Sequence, residues 1–129
     1  MIQLVVPGPP VSKGRPRFGR GFAYTPTSTR LAEKKVATIA RQHGVKPLEG
    51  PLEVTCRFYL PTRRRVDLDN LTKLCQDSLN EIAWHDDSQI CISLSEKHYC
   101  PENPRTEIII CAVKEPSKFD GLLKKCKKE

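Results

Sequence analysis

Residues 63–90 read RRRVDLDNLTKLCQDSLNEIAWHDDSQI, and they concentrate the chemistry of the chain. Six of the fifteen acidic residues fall between Asp67 and Asp87, with Lys73 the one lysine or arginine among them. Clustered carboxylates repel one another and repel phosphate, and a divalent cation held between them reverses that sign. Mg²⁺ is a hard octahedral ion that takes carboxylate oxygens and keeps waters that a substrate phosphate can replace. Asp67, Asp69, Asp86 and Asp87 bracket one apolar-periodic segment and are the candidate ligands of such an ion. Each also has an ordinary structural reading. An aspartate at a helix start caps free N–H groups, Asp69 with Lys73 is a common surface pair, and HDDS suits a turn.

Spacing narrows the choice. From about Asp69 to Ile82 the apolar residues Leu71, Leu74, Cys75, Leu79 and Ile82 recur with a helical period. At ~100° per residue, Asp69 and Lys73 fall opposite that stripe, and a separation of four makes them neighbours on the open face. If residues 67–69 are still extended, the period of two points both carboxylates the same way.

The elements that must hold these residues follow from the rest of the chain. IQLVVPG reads as a strand closed by a PGPP turn. Residues 11–26, rich in Gly, Pro and Arg, show no hydrophobic period and read as a loop. TPTSTRLAEKKVATIARQHG predicts a helix with Ala32, Val36, Ile39, Ala40 and His43 on its buried face. LEVTCRFYL alternates strictly, as a strand with one buried face does. QICISLSEKHY and RTEIIICAVKE predict two further strands, joined across CPENP as a hairpin. The order β-α-β-α-β-β implies one α/β (α+β) domain over residues 1–115, a mixed sheet of about four strands with two main helices packed on it. Residues 116–129 read as a basic tail.

The 129 residues carry a formal charge of +7, which favours a polyanionic partner. No acidic residue precedes Glu33, whereas Lys13, Arg15, Arg17, Arg20 and Arg30 do. No apolar run approaches the ~20 residues that cross a bilayer. The N-terminus lacks the basic region and apolar length of a secretory signal, so the expected location is the cytoplasm, without membrane attachment. The six cysteines contain no CxxC pair and are expected to be reduced thiols. A zinc site from His85, His98 and Cys100 lacks the close-pair spacing of zinc ligands.

RRRVDLDNLTKLCQDSLNEIAWHDDSQI resembles the signature of the RusA family of Holliday-junction resolvases, and PGPPVSKGRPRF with AYTP resembles its phage and prophage members. The likeness runs from about Val5 to Lys114. It implies a homodimeric, Mg²⁺-dependent endonuclease (with Mn²⁺ able to substitute) that binds four-way or otherwise branched DNA and makes paired symmetric nicks in recombination and repair. Such an enzyme would work on the nucleoid of a bacterial or phage-infected cell. The family's catalytic acids map onto Asp67, Asp69 and Asp87, its helix lysine onto Lys73, and Asp86 matches the neighbouring acid. Arg63, Arg64 and Arg65, together with Lys13, Arg15 and Arg17, are the expected phosphate contacts. Phe18, Phe22 and Tyr24 are candidates for stacking on unpaired bases or for anchoring the loop. Two rival readings are kept: a non-catalytic nucleic-acid-binding module whose aspartates are structural, and a nuclease acting on other branched DNA or on RNA.

Overall fold

The computed structural model describes residues 1–14, 17–19, 22–24 and 27–113, with the backbone alone described at 17–19 and 22–24. The elements are β1 (Ile2–Pro7), β2 (Arg17–Gly19), β3 (Phe22–Tyr24), α1 (Thr27–Gln42), β4 (Leu52–Leu60), α2 (Leu68–Leu79), a 3₁₀ turn (Asp87–Gln89), β5 (Ile90–Tyr99) and β6 (Arg105–Ala112). Four strands form a mixed sheet in the order β1-β6-β4-β5. β4 pairs parallel with β5 and antiparallel with β6, which pairs antiparallel with β1. The expected α+β sheet with two main helices is therefore the fold observed.

Alternation decides which face of this sheet is covered. Leu52, Val54, Cys56, Phe58 and Leu60 of β4 are buried, whereas the intervening Glu53, Thr55, Arg57 and Tyr59 keep partial contact with solvent. The inward residues join Leu4 and Val6 of β1 and Ile108 and Ile110 of β6 in one core with Val36 and Ala40 of α1 and Leu71, Leu74, Cys75 and Leu79 of α2. Both helices thus lie on the same face of the sheet.

The hairpin expected across CPENP does not form, because β4 lies between β5 and β6. Residues 100–104 instead step over the end of β4, where the Cys100 N–H donates to the Leu60 carbonyl at 2.8 Å. The physical reason is strand composition. TEIIICA buries Thr106, Ile108 and Ile110 and takes an interior position, while SLSEKHY is polar on both faces and suits an edge. β4, α2 and β5 then form a parallel crossover unit. Within 11–26, β2 and β3 make a short antiparallel pair that the loop reading lacked. His43 is exposed rather than on the buried face of α1, its ring Nδ1 against the Ile39 carbonyl at 2.9 Å. α2 ends at Leu79, three residues before Ile82, because Asn80 is extended and Glu81 turns left-handed with φ 68°.

Candidate active site

The start of α2 is built by Asp67. Its backbone is extended (φ −75°, ψ 119°), and Oδ1 accepts the Asp69 N–H at 3.0 Å. This N-cap satisfies one of the free donors of the first turn and is worth ~1 kcal/mol. Asn70 Nδ2 lies 3.5 Å from the other oxygen, Oδ2. Asp69 is already helical, so the two carboxylates are brought together by the cap and not by a shared extended segment. Asp67, Asp69 and Lys73 are all exposed, on the solvent side opposite buried Leu71, Leu74 and Cys75. Among the described residues, neither the Asp69 carboxylate nor the Lys73 ammonium has a hydrogen-bond or ion-pair partner.

Basic side chains flank this terminus. Arg63, Arg64 and Arg65 are exposed, and Arg64 and Arg65 line a cleft of about 380 Å³ with Asp67, Val66 and residues 10–12. The Arg63 guanidinium sits 4.5 Å from the centroid of the Tyr99 ring. Lys97 Nζ donates to the Val66 carbonyl at 2.7 Å, tying the segment before α2 to the edge strand. Lys97 and Tyr99 were not among the sequence candidates. Their signal was the period of two in β5, which carries them to the helix side of the sheet with Ser93 and Ser95.

Lys13 is less open. Its ammonium contacts Asp77 at 3.1 Å and Glu33 at 3.3 Å, and about a quarter of the side chain is exposed. Burial acts to lower its pKa, but the hydrogen bonds and charges of Asp77 and Glu33 outweigh that and raise it above the usual lysine value. The side chains of Arg15 and Arg17, like those of Phe18, Phe22 and Tyr24, lie outside the described residues, as does the tail from 116.

Asp86 and Asp87 belong to the opposite end of α2. Asp86 caps the 3₁₀ turn, with Oδ2 accepting the Ser88 N–H at 3.0 Å and Gln89 Oε1 returning to the Asp86 N–H at 3.0 Å. Those Ser88 hydrogen bonds hold the Asp86 pKa below the usual carboxylate value. Asp87 Oδ1 accepts the indole N–H of fully buried Trp84 at 2.7 Å. Gln89 Nε2 donates to the Leu48 and Gly50 carbonyls, fixing this turn at the start of β4.

The register measures the gap between the two acidic groups. α2 runs antiparallel to β5, with Thr72 against Ser95 and Gln76 against Ser93. Val66 is held at Lys97, which pairs with Phe58, whereas Ile90 pairs with Leu52. Six residues of strand at ~3.3 Å each put Asp87 ~20 Å from Asp67 and Asp69. Within the chain, Asp67 and Asp69 therefore stand at the start of α2, and Asp86 and Asp87 lie apart from them. No group of three potential metal ligands occurs among the described residues. The candidate zinc ligands His85 and His98 pair instead with Glu49 and Glu96. No helix among the described residues is long and apolar enough to cross a membrane.

Comparison with known proteins places these features in a family. A family model described as Endodeoxyribonuclease RusA matches residues 7–111. The chain is 28% identical to the uncharacterized protein YqaN of Bacillus subtilis (strain 168), over 84% of this chain and 94% of that protein. It is 30% identical to the crossover junction endodeoxyribonucleases RusA of Escherichia coli (strain K12) and of Enterobacteria phage 82, in each case over 67% of this chain and 74% of the relative.

Proposed function

The chain belongs to the RusA endodeoxyribonuclease family, and on that premise we propose that it is a Mg²⁺-dependent nuclease that resolves four-way DNA junctions by paired symmetric nicks. The observation that carries this reading is the exposed Asp67–Asp69 pair beside the cleft lined by Arg64 and Arg65. Arginines there would hold phosphates of either strand with little regard to base, which makes binding steeply salt-dependent.

The donor set fits magnesium. Asp69 has both carboxylate oxygens free among the described residues, and Asp67 keeps lone pairs beyond its cap. Mg²⁺ is commonly held by one or two carboxylates together with substrate phosphate, and Mn²⁺ accepts the same hard oxygens. Asp67 and Asp69 would hold the ion, which when bound supplies charge neutralisation at the phosphate and a more acidic water. Lys73, one turn along the same face, is placed to orient the attacking water or to offset charge on the phosphate.

The ~20 Å gap to Asp87 suggests how a third carboxylate enters. In a homodimer whose α2 helices run antiparallel across a two-fold axis, each Asp67–Asp69 pair meets the partner's Asp87. Two equivalent sites suit two equivalent cuts.

A second reading has its own support. Asp67 caps α2, Asp86 caps the 3₁₀ turn and Asp87 anchors Trp84, so three of the four aspartates already serve the fold. A non-catalytic binding module would need nothing more of them. Asp69 separates the two readings because it has no such task. Asp69→Asn is expected to abolish Mg²⁺-dependent cleavage of a synthetic four-way junction while junction binding and thermal stability persist. Undiminished cleavage by that variant removes the metal reading. Tight binding without cleavage by the parent protein establishes the binding module. Equal nicking of junction, flap, linear duplex and RNA stem reduces the reading to a general nuclease.

A further inference from the structure

Lys13 sits among the expected phosphate contacts, yet its surroundings are acidic. The ammonium bridges Asp77 of α2 and Glu33 of α1, and the trio carries a net charge of −1. Such a spot does not attract phosphate. The backbone around Lys13 is fastened as well. Its N–H donates to the Asn70 carbonyl at 2.9 Å, in the turn that carries Asp69. The next N–H, of Gly14, donates to Oγ1 of Thr29, whose side chain in α1 is 1% exposed. Gly8 N–H donates to the Pro104 carbonyl at 3.1 Å, and Lys35 Nζ donates to the Pro7 carbonyl. Residues 7–14 are thereby pinned across both helices, and residues 10–12 of this strap form one wall of the cleft shared with Arg64, Arg65 and Asp67.

We infer that Lys13 is a positioning residue and not a phosphate ligand: with Asp77 and Glu33 it clamps the 7–14 strap against α1 and α2 and so sets the width of the arginine-lined cleft beside Asp67 and Asp69. The inference rests on the nuclease reading for its effect on cleavage, but its charge logic stands on geometry alone. The clamp works through three residues from different elements, so removing an acid should act like removing the lysine. A phosphate ligand behaves in the opposite way, because losing Asp77 or Glu33 raises the local positive charge.

The test is a double-mutant cycle of Lys13→Met and Asp77→Asn, with Lys13→Arg as the conservative variant. Cleavage of a four-way junction and the salt dependence of junction binding without divalent cation are both measured. Each single change is expected to lower the maximal cleavage rate by a similar factor, on the order of tenfold to 100-fold for a shift of ~1 Å at the site. The double variant should be no worse than either single one, and Lys13→Arg should restore most of the rate. The salt slope should stay that of the parent. Loss of about one counterion from the slope in Lys13→Met, with Asp77→Asn binding more tightly and cutting normally, makes Lys13 a phosphate ligand and overturns the inference. If Asp77→Asn folds poorly, Glu33→Gln, which removes one of two partners, replaces it in the cycle. A parent protein that binds but never cuts rejects the nuclease reading, and the salt slope of Lys13→Met then decides the clamp by itself.

Discussion

Asp67 caps α2, the proposed function gives it a second task, and two substitutions separate the two. Asp67→Asn keeps a side-chain oxygen able to accept the Asp69 N–H, whereas Asp67→Ala removes the cap and should lower stability by ~1 kcal/mol in denaturant unfolding. Both should lose cleavage if the charge is what matters. An Asn variant that cuts like the parent would show the cap to be the whole role of Asp67. Asp86 offers a titration check. Its folded pKa is depressed, so its contribution to stability is present above its unfolded value of 3.8 and is lost as pH falls through the lower folded value. Asp86→Asn cannot titrate, and the parent is expected to lose more stability than this variant as pH drops below 3.8. Parallel acid-unfolding curves for the two would remove the capping assignment. The role of Lys13 was not readable from residue type, since its acidic partners lie on two other elements. Composition alone made it one more basic residue in an acid-free stretch.

At the scale of elements, α2 acts as a ruler. Its 12 residues span ~18 Å, which keeps the aspartates beyond its two ends in separate places within the chain. The far end depends on Trp84, which is fully buried and donates to Asp87. Trp84→Phe should lower stability, because it leaves part of a fully buried site unfilled and removes a hydrogen bond worth ~0.5–1.5 kcal/mol, and it should lower cleavage by freeing the Asp87 carboxylate. A variant with parental cleavage would show that the orientation of Asp87 is immaterial. These elements were largely legible: strict alternation in LEVTCRFYL and the apolar stripe of α2 are local patterns, and local periodicity specifies them. Strand neighbours were not legible. Choosing β4 over β5 as the partner of β6 depends on which strand best fills a buried position, a non-local competition that adjacency in sequence does not report. The left-handed Glu81 that ends α2 likewise stands where sequence rules expect glycine.

For the whole molecule, the proposed function makes one device of the charge distribution and the acidic pair. Arg64 and Arg65 would bring phosphate to Asp67 and Asp69, and the carboxylates would hold the cation that lets it approach. Replacing Arg64 and Arg65 together by glutamine should reduce the salt slope of junction binding by about two counterions and weaken all sequences alike. An unchanged slope would move the DNA off this face. Resemblance and spacing pick out the acidic residues, but their separation within the chain is not legible in sequence, because it requires the register of β5 against β4. That separation is what makes a dimer part of the proposed chemistry. The decisive measurement mixes two inactive proteins, Asp69→Asn and Asp87→Asn, refolded together and assayed for Mg²⁺-dependent nicking of a four-way junction. With sites shared across a two-fold axis, each mixed dimer holds one intact site, so single-strand nicking returns on mixing and is absent from either protein alone. If mixing restores nothing while both variants bind junctions and form mixed dimers, the shared three-aspartate site is contradicted.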